Sequence, residues 1–199
     1  MMPYYGLQDT ILNTYDQING YLGIKGKISE NSLFHIDFGG NTVANMLMFT
    51  QVSDTSDRNL NDYKLRPLRA VYRDISSIYF RAGAEYLLGD QLKFLANIKI
   101  TNFGADNQIL HIPSMEYQAK LSYKPIEDIK IELGAQGVGR RYDQVLDNMN
   151  RLKETEVEGF MDVFARIDYR FIGKGRIWIQ GSNLLNQKYQ YWNGYQVWG

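Results

Sequence analysis

From Ile78 to Leu88 the chain alternates between two chemistries that cannot share one solvent. One parity reads Ile78, Phe80, Ala82, Ala84, Tyr86, Leu88 with no charge, and the other reads Tyr79, Arg81, Gly83, Glu85, Leu87. After Gly89-Asp90 the pattern resumes, with Leu92, Phe94, Ala96, Ile98 and Ile100 against Gln91, Lys93, Leu95, Asn97, Lys99 and Thr101. Side chains alternate across a strand, so these are hairpins with one apolar and one charged surface. A soluble sandwich must cover the apolar face with a second sheet. A membrane barrel leaves that face in lipid and lines a wet interior with the charges.

The same period runs along the chain. A first strand near Gln17 to Ile28 sets Ile18, Leu22, Ile24 and Ile28 against Asn19, Tyr21, Lys25 and Lys27. Phe34, Ile36 and Phe38 oppose His35 and Asp37, with a bend or bulge expected at Gly39-Gly40 and a continuation from Val43 to Phe49. The stretch from Gln51 to Asp74 shows no strand period and reads as a long polar loop. Met115, Tyr117, Ala119, Leu121 and Tyr123 oppose Glu116, Gln118, Lys120, Ser122 and Lys124. Ile129, Ile131, Leu133 and Ala135 then face away from Lys130, Glu132, Gln136 and Arg140. A charged loop, Tyr142 to Glu158, precedes Met161, Val163, Ala165, Ile167, Tyr169 and Phe171 against Asp162, Arg166, Asp168 and Arg170, and a last strand spans Arg176 to Leu184.

This predicts an all-β, antiparallel transmembrane β-barrel segment of about eight strands. Its connections alternate. Those near Glu30, Gly89, Ile126 and Gly173 are tight, whereas those at Gln51, Gly104, Tyr142 and beyond Leu185 are long. Short turns at one rim and long loops at the other are the asymmetry of bacterial outer-membrane barrels, and strands of about 10 residues suit a tilted crossing. Tyr86, Tyr123 and Tyr169 each sit on the apolar parity just before a tight turn, where an interfacial aromatic girdle belongs. The alternatives are a self-contained eight-stranded outer-membrane barrel with a structural or adhesive role, and a soluble ligand-binding β-barrel.

Composition excludes several chemistries. There are no cysteines, which removes disulfide frameworks, thiolate zinc sites and cysteine nucleophiles. The charges balance at 22 basic and 22 acidic residues, so no nucleic-acid-binding surface is expected. No apolar run approaches the roughly 18 residues of a transmembrane helix. The N-terminus, Met1 to Gly6, lacks the basic stretch and apolar core of a signal peptide.

No catalytic, cofactor-binding or metal-ligating residue is assigned, and an enzyme is not expected. His35 and His111 are the only histidines, and His35 with Asp37 reads as ordinary lumen-facing polarity. Asp57, Asn59 and Asn61 imitate the start of a calcium loop, but Asp62 replaces its glycine and Leu68 its closing glutamate. Gly134, Gly137 and Gly139 lack the order of a dinucleotide fingerprint and read as small strand residues. Arg81, Lys93, Lys99, Lys120, Lys130, Arg140, Arg166 and Arg170 interleave with Glu85, Glu116, Glu132, Asp162 and Asp168, so neighbouring strands are expected to pair opposite charges across the wall. Tyr63, Tyr142, Tyr191, Trp192 and Trp198 are loop aromatics that suit either stacking on a solute or the outer girdle.

The C-terminal segment Gly181-Ser182-Asn183-Leu184-Leu185-Asn186-Gln187-Lys188-Tyr189, followed by Tyr191-Trp192-Asn193-Gly194-Tyr195, resembles the end of TonB-dependent outer-membrane receptors. In that family an Asn-Leu-(Leu/Phe)-(Asn/Asp)-x-x-Tyr segment closes the penultimate strand. The resemblance implies that residues 1–199 are the C-terminal portion of a receptor barrel, without its plug domain, in the outer membrane of a Gram-negative bacterium. It implies uptake of a scarce solute (a siderophore, vitamin or glycan) bound at the extracellular loops, lipid as the surrounding partner, and TonB reached only through the missing plug. Family members continue into a final apolar strand, whereas this chain ends at Val197-Trp198-Gly199, so a fragment is expected.

Overall fold

The computed structural model describes residues 16–51, 68–104, 109–147, 149, 151–171, 175–192 and 195–197. The expectations for Met1 to Gly6, Asp57 to Asp62, Tyr63 and Trp198 lie outside them. The strands are β1 (Asp16–Ser29), β2 (Ser32–Gln51), β3 (Leu68–Leu88), β4 (Leu92–Phe103), β5 (Met115–Ile126), β6 (Ile129–Val138), β7 (Arg141–Leu146), β8 (Leu152–Val157), β9 (Phe160–Phe171), β10 (Gly175–Gly181), β11 (Tyr189–Trp192) and β12 (Tyr195–Val197). Eight of them form one antiparallel sheet in the order β1-β2-β3-β4-β5-β6-β9-β10. The pairs β7-β8 and β11-β12 are separate hairpins, so the strand total among the described residues exceeds the eight or so expected. Among those residues β1 and β10 do not pair, and the sheet is an open wall rather than a closed eight-stranded barrel.

Both faces of a single sheet have no second layer, yet they differ in exposure. The apolar face stands free, with Ile18 at 76% and Leu22 at 82% on the edge strand and Ile36, Ile78, Leu133 and Ile167 exposed across the middle. On the other face Thr101, Ser122, Glu132, Asp162 and Asp168 are buried. Side chains crowd on a concave surface and splay on a convex one. The sheet therefore curves with its charges inside and its hydrocarbon outside, as a barrel wall does.

The register carries the tilt that such a wall needs. Ser32 lies opposite Tyr86, and the rung with Leu88 opposite Leu92 lies two residues further along β3. That rung continues through Tyr123 and Ile131, and the next turn closes two residues on, where Ile126 faces Ile129. Ile129 pairs with Tyr169, and the turn after β9 closes two residues later at Phe171 opposite Gly175. Each hairpin is thus displaced by two residues in the same direction, which is the stagger of tilted strands. Tyr86, Tyr123 and Tyr169 each stand one rung from their own turn on the convex face, 46%, 41% and 47% exposed. They keep one depth because the stagger carries each along with its turn.

Several boundaries differ from the sequence reading. Gly39 and Gly40 pair without interruption, and the register shift falls between Val43 and Met46, where Asn45 has φ 56° and its N–H donates to Asp74. A glycine is needed at Gly39 for another reason: a Cβ there would meet the Tyr79 ring at 2.7 Å. The polar stretch ends earlier than expected, since β3 begins at Leu68 and pairs with Gln51. Residues 68–73 keep the alternation of β3, with Leu68, Ala70 and Tyr72 against Arg69, Val71 and Arg73, because the extra residue of the shift lies in β2 and inverts that strand's parity instead. The expected loop from Tyr142 to Glu158 is largely the β7-β8 hairpin, with Arg141 opposite Val157 and Leu146 opposite Leu152. The last strand of the sheet stops at Gly181 rather than Leu184.

Toward the long connections the inner face turns apolar. Beyond the shift, Met48 and Ile75 pack with Ile109 and Leu110 as a small core, bordered by Met46, Val71, Phe103 and Ile112. Leu110, 1% exposed, bridges to Tyr142. His111, at φ 68°, donates its N–H to the Tyr142 carbonyl at 2.8 Å, and its Nε2 donates to the Phe49 carbonyl at 3.1 Å. The described part of the expected 104–113 loop is therefore folded inward and fastened to β2 and β7.

Candidate functional site

The concave face holds a trough of about 800 Å³ that spans β1 to β9. Its floor is set by alternation: every second residue of each strand points inward, and register decides which of these meet. Asp37 lies opposite Arg81 and accepts from its Nε and Nη2, both at 2.8 Å. Lys99 lies opposite Glu116 at 3.6 Å, and Lys93 reaches diagonally to Glu85 at 2.7 Å. The expected cross-strand pairing of opposite charges is present in these three.

Nearer the tight turns, carboxylates are shared. Glu132 accepts from Lys130 at 2.8 Å, from Lys120 at 3.3 Å and from the Ser122 hydroxyl at 3.1 Å. Asp168, 3% exposed, is gripped through both oxygens by Arg166 at 2.9 Å and receives Arg176 Nε at 3.0 Å. Arg166 also lies 4.5 Å from the Trp178 ring centroid, a cation–π contact that flattens the guanidinium against the wall. Arg176 and Trp178 were invisible as site residues in sequence, because their role depends on which strand neighbours β10. Arg170 pairs at 3.2 Å with the turn residue Asp128. Arg140, expected in the lumen, instead pairs at 3.4 Å with Glu156 of β8.

Between the charged rungs runs a neutral one. Asn97, Gln118 and Gln136 lie directly opposite one another on β4, β5 and β6, and the rung continues to Asp162 on β9. His35 and Asn97 lean over Gly83, where a Cβ would collide with both side chains. His35 thus shares the concave face with Asp37, as the alternation predicted.

The segment after β10 owes its shape to two asparagines. Asn183 and Asn186 both have φ 50°, a left-handed conformation that asparagine tolerates better than most residues. The Asn183 carboxamide accepts from Gln187 N–H and donates to the Gln187 carbonyl, both at 3.0 Å. Its own N–H donates to Asp162 at 2.6 Å, anchoring the turn to the concave face. Tyr189 then stacks on Phe160 with centroids 4.1 Å apart, and Arg141 covers that ring at 5.4 Å while donating to the Gln190 carbonyl at 2.7 Å. The spacing Asn-x-x-Asn-x-x-Tyr therefore encodes a turn, a clamp and a stacking anchor.

Outside the sheet, the β7-β8 turn is closed by Asp147. Backbone N–H groups of Arg151 and Met149 and the Arg151 guanidinium donate to it at 2.8–2.9 Å. The Arg151 N–H first, and the other two donors with it, hold this carboxyl below the usual aspartate range.

Solved structures share this architecture. The siderophore receptor PirA from Acinetobacter baumannii superposes with TM-score 0.68 at 12% identity, over 93% of this chain and 30% of that one. The FrpB iron transporter from Neisseria meningitidis gives 0.64 at 14% identity, over 94% and 30%. The pyoverdine outer-membrane receptor FpvA from Pseudomonas aeruginosa PAO1 gives 0.64 at 15% identity, over 98% and 30%. The fold is that of an outer-membrane barrel wall. At such identities the likeness is one of fold, and the chain spans under a third of each of these structures. No protein-family profile and no curated relative matches the chain.

Proposed function

We propose that this chain is a wall segment of a TonB-dependent outer-membrane receptor that takes up a scarce solute across the outer membrane of a Gram-negative bacterium. The observation that carries the reading is the curved, staggered sheet with hydrocarbon on its convex face and paired charges on its concave one. Lipid as the second layer fits this surface, since an exposed apolar face of this extent is not stable in water. The fold likeness to receptors for siderophores and iron, and the Asn183-to-Tyr189 segment, support a receptor over an adhesin. The open β1 and β10 edges support a larger barrel over a self-contained eight-stranded one. Unpaired edge groups in lipid cost several kcal/mol each. The role is binding and passage, with no catalytic step.

The test is cell fractionation followed by gel migration. A barrel that contains this wall is expected in the outer-membrane fraction, resistant to salt extraction, with a band that shifts on boiling. Recovery as a monomer that folds without detergent would remove the membrane reading. Growth that depends on the protein only when a chelated metal is the sole source of that metal would place the solute among siderophores.

A further inference from the structure

The β7-β8 hairpin stands outside the eight-stranded sheet, and its two edges differ. On the β7 side the Tyr142 carbonyl points away from β8 and accepts the His111 N–H at 2.8 Å. Tyr142 lies opposite Glu156. In an antiparallel ladder, opposed residues turn their N–H and C=O groups either toward each other or both away. Glu156 therefore turns its backbone groups outward, and at alternate positions so do Glu154 and Leu152. Among the described residues no strand or turn pairs with that edge of β8.

The side chains of the same three residues form the outer face of the hairpin. The other parity is turned down: Val157 is buried with Arg141 opposite it, and so is Asp143, opposite Thr155. Leu152 is half exposed, and Glu154 and Glu156 stand in the open. Arg140 reaches Glu156 at 3.4 Å in an exposed pair, and Glu154 has no ion pair among the described residues.

From this we infer that the open edge of β8 is a docking site for a basic, extended polypeptide strand. The outward N–H and C=O groups supply main-chain pairing, and the two glutamates select the side chains. Directly opposed residues share a face, so the added strand carries Lys or Arg against Glu156 and Glu154 and an apolar residue against Leu152. Added antiparallel, it reads basic-x-basic-x-apolar. A second copy of β8 does not fit. Laid antiparallel in the registers that overlap the whole strand, it sets Glu154 against a glutamate of the copy, and like charges directly opposed repel. The exposed Arg140 pair is worth little and gives way to a closer cation.

The inference rests on the wall reading only for the hairpin lying outside the lipid, and the experiment separates the two. A barrel that contains this wall, purified in detergent, is titrated with a fluorescent peptide, Thr-Lys-Thr-Lys-Thr-Leu-Thr. Its controls are the same peptide with glutamate for lysine and the same peptide N-methylated at both lysines. The lysine peptide is expected to bind and to weaken as salt is raised. It should lose about two- to fivefold in affinity in each of Glu154→Gln and Glu156→Gln. Glu154→Pro removes an outward N–H but no bond of the β7-β8 ladder, so it should abolish binding while the Val145 amide, on the ladder side, stays protected from exchange. Glu127→Gln, in a tight turn at the other rim, should leave affinity unchanged. No binding of the lysine peptide, equal binding of the glutamate peptide, or undiminished binding after N-methylation or in Glu154→Pro would overturn the inference. Binding to the purified barrel with none to intact cells that carry it would sink the outward placement and leave the docking edge standing.

Discussion

The two ends of this molecule keep their hydrocarbon in opposite places. Across the wall, Ile36, Ile78, Leu133 and Ile167 stand exposed while Glu132 and Asp168 are buried. Near the long connections, Met48, Ile75, Ile109 and Leu110 are buried in a conventional core, and charged side chains such as Arg140 and Arg151 stand in the open. On the membrane reading proposed above, the same chain obeys two rules because it meets two solvents. Where lipid supplies the apolar phase, the interior is free to hold ion pairs. Where the chain leaves the membrane, water restores the ordinary preference.

The largest effect should come from charging the wall. Ile98→Arg places a cation on the convex face at mid-wall and should cost up to about 4 kcal/mol, read by urea unfolding in lipid vesicles. An unchanged midpoint would show that this face does not meet lipid, and the contrast between the two ends would collapse. Next is the small core: Leu110→Ala should cost about 2–3 kcal/mol and raise proteolysis of the long connections while leaving the boiling shift intact. If the boiling shift disappeared too, the two ends would be one cooperative unit.

Asp168→Asn should cost about 2 kcal/mol, because it loosens Arg166 and Arg176 together. Adding Arg166→Gln to it should cost little more, since a double-mutant cycle cancels when one partner is already gone. Asn183→Ala loses the Gln187 clamp and places alanine at φ 50°, an expected loss of about 1–2 kcal/mol. Asn183→Gly should recover the part due to backbone strain but not the part due to the clamp. The smallest effect is on the β7-β8 turn. The Asp147 carboxyl titrates lower when folded than unfolded, so its contribution is complete above the unfolded aspartate value and is lost as pH falls through the lowered folded one. Amide exchange at Arg151 should therefore accelerate only in acid below the ordinary aspartate range.

Much of the wall was legible from alternation alone, because a period of two names the face of every residue without reference to its neighbours. The same logic reaches the tight turns and the tyrosine level. It stops where pairing rather than period decides. Residues 68–73 alternate, but their partners Met46 to Gln51 lie beyond a register shift in β2 that a single strand cannot announce. The β7-β8 hairpin is charged on both parities, so it reads as loop. Arg141 reads as one more surface cation, yet it is buried because the fold brings Phe160 and Gln190 to it. The Asn183-to-Tyr189 segment was recognisable by likeness, but the reason for its asparagines lies in φ and in a clamp closed over four residues.

By itself, the two-faced sequence determined that these strands carry one apolar and one charged face, because side-chain parity is a local property of extended backbone. Only the tertiary structure decided which charges share a carboxylate, which face is concave, and that among the described residues the sheet stays open between β1 and β10. Those follow from register, stagger and curvature, which are relations between strands and are written in no single one of them.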